Sequence, residues 1–146
     1  MLGAIIGDVA GSTYEVDEIN AIKNGEINYS NRMKILDKNT PLFNDNSSYT
    51  DDTVLTAAIA YSVLTNGDYC TNLKKFGLNE MNLGLDRYGR NRFGSGFCNW
   101  LKGEYIGDSY GNGCAMRISP IANIYNDLFD VINETKNATY PSHNHI

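Results

Sequence analysis

The sequence predicts an all-α domain, and three observations lead there. Val54, Leu55, Ala58, Ile59, Tyr61 and Leu64 recur at helical spacing. Leu2, Ile5, Ile6 and Val9 share a face in the same way. Period-two alternation is short throughout and never leads into a hairpin turn of the expected kind. The 146 residues suffice for one domain with a real core, and 42% hydrophobic with 20% charged residues is the balance of a folded globular chain.

The first helix begins at Leu2 and carries small residues at Gly3, Gly7, Ala10 and Gly11. Each glycine costs a helix about 1 kcal/mol relative to alanine, so close approach of another helix is the expected compensation. Asp8 is an acid among apolar neighbours, either buried and hydrogen-bonded or on the wet face, and we read it as structural. The helix is expected to end at Tyr14-Glu15, where Glu15 reads locally as a surface acid. Residues 24–48 are rich in Asn, Asp, Ser and Lys and read as a long loop, with a short helical turn around Arg32 to Leu36. Loops of this length in a compact domain are often functional lids.

Tyr49-Thr50-Asp51-Asp52-Thr53 opens the next helix. Thr50 or Ser48 can cap it, and acids suit a first turn whose free N–H groups carry partial positive charge. Successive residues turn by about 100°, so Asp51 and Asp52 point in different directions. Two readings follow: an ordinary acidic N-terminus facing water, or a carboxylate-hydroxyl cluster facing a cleft and suited to a hard cation such as magnesium. That helix ends near Thr65-Asn66-Gly67, with Gly67 as a left-handed cap. Asp68 or Thr71 then caps a helix through Leu73, Phe76 and Met81.

Residues 87–96 hold three arginines and three glycines. They form either an anion-recognition loop or an ordinary turn with surface arginines. Phe97, Trp100 and Leu101 mark a short amphipathic helix that packs in the core. Asp108-Ser109-Tyr110-Gly111-Asn112-Gly113 is a glycine-bracketed turn before an apolar helix from Cys114 to Ala122, and a helix start with accessible amides suits anions. The spacing and the missing lysine exclude a phosphate loop of the GxxxxGK[ST] kind. Pro120 should kink or restart that helix, which continues through Ile124, Tyr125 and Leu128 and on to Phe129, Val131 and Ile132. His143 and His145 close the chain and read locally as solvated.

The totals exclude several classes. A net charge of −5 is wrong for a general nucleic-acid binder. No apolar run approaches the ~20 residues of a membrane helix, and the start of the chain lacks the basic segment of a signal peptide. Three widely spaced cysteines without a CxxC pair suit a reducing cytoplasm. Two terminal histidines do not make a His-rich zinc site.

Five stretches, in order, resemble the ADP-ribosylglycohydrolase family, whose familiar member is the dinitrogenase reductase-activating glycohydrolase. They are Gly3-Ala4-Ile5-Ile6-Gly7-Asp8-Val9-Ala10-Gly11-Ser12-Thr13-Tyr14-Glu15, Thr50-Asp51-Asp52-Thr53, Arg87-Tyr88-Gly89, Ser109-Tyr110-Gly111-Asn112-Gly113-Cys114-Ala115-Met116-Arg117 and Ser142-His143-Asn144-His145. The resemblance implies a compact all-α fold with two Mg2+ ions in a cleft. It implies cleavage of the bond between C1″ of ADP-ribose and a protein side chain or small acceptor. By similarity Thr50, Asp51 and Asp52 are metal ligands, with Asp51 and Asp52 also catalytic. Glu15 lies on a mobile segment near the metals and positions or deprotonates water. Tyr88, Gly89, Ser109, Tyr110, Gly111, Asn112 and Gly113 line the substrate, with Tyr110 available for stacking. His143 is the substrate-side histidine, with His145 as the other candidate for that place.

Such chemistry suits these residue types: carboxylates stabilise oxocarbenium character and activate water, and magnesium holds hydroxyls and water in one geometry. The family also carries a second acidic cluster of the form Asp-Thr-Asp-Thr, which this sequence lacks. Residues 1–146 therefore resemble the N-terminal part of that fold, without its C-terminal helices, and a partner chain is one source of the missing half. The exposed face left by those helices is expected to be apolar. A non-catalytic ADP-ribose or nucleotide binder and a helical interaction module are the alternatives. The linkage cleaved is open between arginine, serine, O-acetyl ester and free nucleotide derivatives.

Overall fold

The computed structural model of the chain describes residues 1–23, 39, 41–86 and 89–145. Its described residues are helical and contain no strand; the elements are α1 (Leu2–Lys23), α2 (Asp51–Thr65), α3 (Tyr69–Asn82), α4 (Ser95–Leu101), a 3-10 turn (Asn112–Arg117), α5 (Ser119–Ile124) and α6 (Leu128–Thr139). They form two units, residues 2–50 and residues 51–146, the latter with Met1.

In the first unit α1 runs on to Lys23, so Tyr14 and Glu15 lie within the helix and do not end it. A side chain at Gly3, Gly7 or Gly11 would meet nothing within 4 Å among the described residues. Within this unit no described residue closes on these glycines, and the polar side of α1 carries its hydrogen bonds to residues 48 and 50. Ser12 Oγ donates to the Val9 carbonyl at 2.9 Å and accepts from the Ser48 amide at 3.0 Å. Asp8, one turn earlier on the same face, accepts from both the amide and the hydroxyl of Thr50. The structural role expected for Asp8 is thus found. The helical turn expected around Arg32 to Leu36 lies outside the described residues.

The second unit is built on α2, whose Val54, Leu55, Ala58 and Ile59 are buried. Leu55 and Ile59 each contribute about 1.5–3 kcal/mol by leaving water. Around them Leu73, Phe93, Cys98, Trp100, Leu101, Ile121 and Ala138 complete one core. The end of α2 departs from expectation: Asn66, with φ 51°, takes the left-handed position and Gly67 does not. Gly67 instead makes room, because a Cβ there would lie 2.8 Å from Asn72 Nδ2. Asp68 caps α3 as expected, accepting from the Thr71 amide at 2.7 Å, and hydrogen bonds from the Thr71 side chain first and its amide second hold the carboxyl below the usual value. Gly77 lets α3 close on α4, since a Cβ there would lie 2.7 Å from Leu101.

The predicted run from Cys114 through Leu128 is three elements. Pro120 starts α5 in its first turn, where its missing N–H costs nothing. Tyr125 is extended, and Asp127 caps α6 by accepting from the amides of Phe129 and Asp130. α6 buries Ala138, and Tyr69 of α3 donates to its Glu134 at 2.6 Å. Leu128, Phe129 and Ile132 on α6 are exposed. No described helix is long and apolar enough to cross a membrane.

Candidate functional site

The arginine-glycine stretch is an ordinary turn where it is described. Arg90 pairs with Asp86 through Nε and Nη2, and Arg92 pairs with Glu80 at 2.5 Å. With their charges matched inside the unit, these guanidinium groups serve the fold before any anion. Gly89 adopts φ 71° in that turn, while Arg87 and Tyr88 lie outside the described residues.

The glycine turn after Gly107 is a different case. Gly107 has φ 82°, and a Cβ there would overlap the Pro141 carbonyl oxygen and lie 2.8 Å from Trp100 Nε1. Only glycine allows this approach. The approach brings the end of the chain against the turn: Asp108 and His143 form an antiparallel bridge, Ser109 N donates to the Ser142 carbonyl at 3.2 Å, and Asn144 N donates to the Gly107 carbonyl at 3.4 Å. His143 is therefore half-buried and not the solvated tail residue that local spacing suggests. Burial first, and the charge of Arg117 second, hold its imidazole below the ordinary value.

Between these two segments and α4 opens a cavity of about 360 Å³, lined by Gly96, Phe97, Trp100, Tyr105, Ser109, Tyr110, Gly111, Ser142 and His143. That volume suits a small organic ligand. Ser109 Oγ accepts from the Gly111 amide at 3.2 Å and shapes the turn. Tyr110 stands at the rim, 89% exposed, with its ring edge-on to His145 at 5.4 Å. Asn112 and Gly113 open the 3-10 turn behind it, and a Cβ on Gly113 would lie 3.5 Å from His143 Nε2. The exposed phenol of Tyr105 sits on the Asp108 carboxylate, and that hydrogen bond raises its pKa.

Four of the sequence-predicted residues, Ser109, Tyr110, Gly111 and His143, thus meet in one cavity, and His143, not His145, lines it. Sequence reasoning gave Phe97 and Trp100 to the core. Trp100 is both, 4% exposed yet on the cavity wall. Ser142, quoted in the closing stretch, has no role assigned from the sequence, and Tyr105 is not distinguished by its spacing at all.

The acids lie elsewhere. Asp51 and Asp52 form the first turn of α2 and are half-buried, and Thr50 belongs to the first unit, held by Asp8. Two carboxylates and a hydroxyl at successive positions are hard oxygen donors of the kind magnesium takes. Among the described residues no three His, Cys, Asp or Glu side chains gather at one point, so these groups alone do not make a closed cage. α2 packs against the 3-10 turn, and Thr56 Oγ1 donates to the Met116 carbonyl at 3.5 Å. The acids and the glycine turn thus belong to neighbouring elements of one unit. Glu15 is an exposed residue within α1, which continues past it to Lys23.

Comparison with known proteins bears on the family of the chain. The family model described as ADP-ribosylglycohydrolase matches residues 1–146. ADP-ribosylhydrolase ARH3 of Xenopus tropicalis is 32% identical over 156 aligned positions, which cover 98% of this chain and 43% of the relative. The chain therefore spans less than half the length of that relative. No solved structure matches it.

Proposed function

Because the chain belongs to the ADP-ribosylglycohydrolase family, we propose that it provides the ADP-ribose-binding part of a hydrolase that releases ADP-ribose from a conjugate at C1″. The observation that carries this reading is the cavity in which Ser109, Tyr110, Gly111 and His143 meet. Its lining pairs aromatic faces (Phe97, Trp100, Tyr105, Tyr110) with a few polar groups. A nucleotide needs that combination: faces for a base, and hydroxyls, amides and an imidazole for ribose and phosphate oxygens.

The residues with catalytic assignments are the acids. Asp51, Asp52 and Thr50 would hold magnesium, which when bound supplies Lewis acidity and a template for ribose hydroxyls. The Glu15 carboxylate accepts a proton from the attacking water as its oxygen bonds to C1″. The C1″–acceptor bond breaks, and the acceptor leaves with the electron pair and takes up a proton. Carboxylate charge favours the oxocarbenium character that develops at C1″.

Titration calorimetry of the chain with ADP-ribose, with and without magnesium, tests the reading, together with release of ADP-ribose from an ADP-ribosylated substrate. Magnesium-linked binding with turnover supports it in full. Binding without turnover leaves only the binding half, and no binding in either condition refutes it.

A further inference from the structure

Arg117 is the least expected residue of the second unit. Its side chain is 0% exposed, and no carboxylate pairs with it among the described residues. Nη2 donates to the Ala138 carbonyl at 3.1 Å and to Ser142 Oγ at 2.7 Å, while Nη1 and Nε find no hydrogen-bond partner. Burial depresses this guanidinium to about 10, and it remains charged at neutral pH. A buried cation without a counter-charge is costly. Aliphatic packing alone would be served better by an uncharged side chain, so the charge has work at the atoms it touches.

Those atoms form a chain. A guanidinium only donates, so Ser142 Oγ must accept from Arg117. The same oxygen lies 2.7 Å from His143 Nδ1. Ser142 is 2% exposed, and its one hydroxyl proton has no other acceptor among its hydrogen bonds. If His143 Nδ1 carried the proton, that hydroxyl would be buried with nothing to donate to, a loss of about 1–3 kcal/mol by the general cost of an unmade bond. The hydroxyl therefore donates to Nδ1, and Nδ1 is unprotonated. In a neutral imidazole the proton must then sit on Nε2, the nitrogen beside Gly113.

We propose that Arg117 and Ser142 are positioning residues that hold His143 in the Nε2–H tautomer, so that it offers a hydrogen-bond donor to an acceptor oxygen of a ligand in the cavity. The partner chemistry is an oxygen with free lone pairs, a phosphate or a ribose oxygen, and not a donor group such as an amino substituent. Burial and the Arg117 charge act in the same sense, since both disfavour the doubly protonated ring. This deepens the ADP-ribose reading and rests on it for the ligand, but the tautomer itself does not depend on any ligand.

The test is long-range nitrogen–proton correlation NMR on the uniformly labelled full chain. With only two histidines, His143 and His145, assignment is direct. Where its ring is neutral, the wild-type His143 should show a protonated Nε2 and a bare Nδ1. Ser142→Ala should move His143 toward a mixture of the two tautomers, and Ser142→Thr, which restores a hydroxyl, should bring it back. ADP-ribose affinity should fall about tenfold in Ser142→Ala and recover in Ser142→Thr. A wild-type ring protonated at Nδ1, or a tautomer unchanged in Ser142→Ala, overturns the proposal. The wild-type spectrum decides even if a variant fails to fold. If ADP-ribose does not bind the wild type, the functional reading falls while the tautomer result still stands or fails by itself.

Discussion

Asp8 holds Thr50 at two points: Oδ2 accepts from the Thr50 amide at 2.9 Å and Oδ1 from its hydroxyl at 2.6 Å. The carboxylate of α1 thereby fixes both the backbone and the side chain of the residue that immediately precedes the acidic pair. An amide in its place presents one donor edge to two donors. Asp8→Asn should lower stability by about 1–3 kcal/mol, the usual worth of hydrogen bonds to a charged group, read by urea unfolding. It should also weaken any magnesium dependence of ADP-ribose binding. A variant with unchanged stability would show that the pair of bonds contributes nothing.

Asp51 and Asp52 separate the cation reading from the capping one. Changing both to Asn removes two negative charges from a half-buried helix start, where the loss of the helix-dipole interaction alone costs about 0.3–1 kcal/mol per charge. The fold should survive this. Magnesium should then no longer alter ADP-ribose affinity in calorimetry. Retained coupling in the double variant would move the metal away from these residues.

The histidine in the cavity predicts a pH dependence. The folded chain holds the His143 imidazolium below its ordinary value, so the unfolded chain binds that proton more readily. Protonation costs nothing above the unfolded value of about 6.5 and its cost is fully present below the folded value. Stability should therefore fall as pH drops through and below the unfolded value of about 6.5. The charged and titratable groups around the ring are Arg117, Asp108 across the bridge, and Tyr105 and Tyr110 on the wall. Asp68, held low by its hydrogen bonds to the Thr71 side chain and amide, loses its contribution only in the more acid carboxylate range. His143→Gln should flatten the slope that sets in below the unfolded value of about 6.5, and equal slopes in the two proteins would remove the histidine as its source.

Two glycines should respond oppositely to alanine. Gly107→Ala forces a left-handed residue against the Pro141 carbonyl and the Trp100 ring, and should cost more than about 2 kcal/mol. Gly7→Ala places a methyl in open space within α1 and should raise stability by about 0.5–1 kcal/mol. Thermal melts of both variants check this pair of signs.

What could be read from the letters follows the range of the interactions. The start of α2, the Asp68 cap and the burial of Trp100 rest on neighbours within a turn or two, and they were legible. So were the residues of the glycine turn that line the cavity. The length of α1 was not, because glycines that weaken a helix do not by themselves stop one. The extended Tyr125 was missed because apolar spacing continues across it, while the Asp127 cap restarts the helix. His143 read as solvated because the bridge to Asp108 joins segments far apart in the chain. Arg117 and Ser142 stand inside stretches that carry the family resemblance, but no role could be read for them, since a buried cation and its serine are recognised only by what surrounds them.

The bridge between Asp108 and His143 also ties ligand capture to conformational stability. The strands of chain that meet there are parted by the 3-10 turn, α5 and α6, so the cavity exists only when all three have docked. Any molecule that fills it must select the fully assembled unit over every partly opened one. At a hundredfold excess over its dissociation constant such a molecule would shift the unfolding equilibrium by about 2.7 kcal/mol. A rise in melting temperature, screened across nucleotides, would then report occupancy of this cavity without any assay of catalysis.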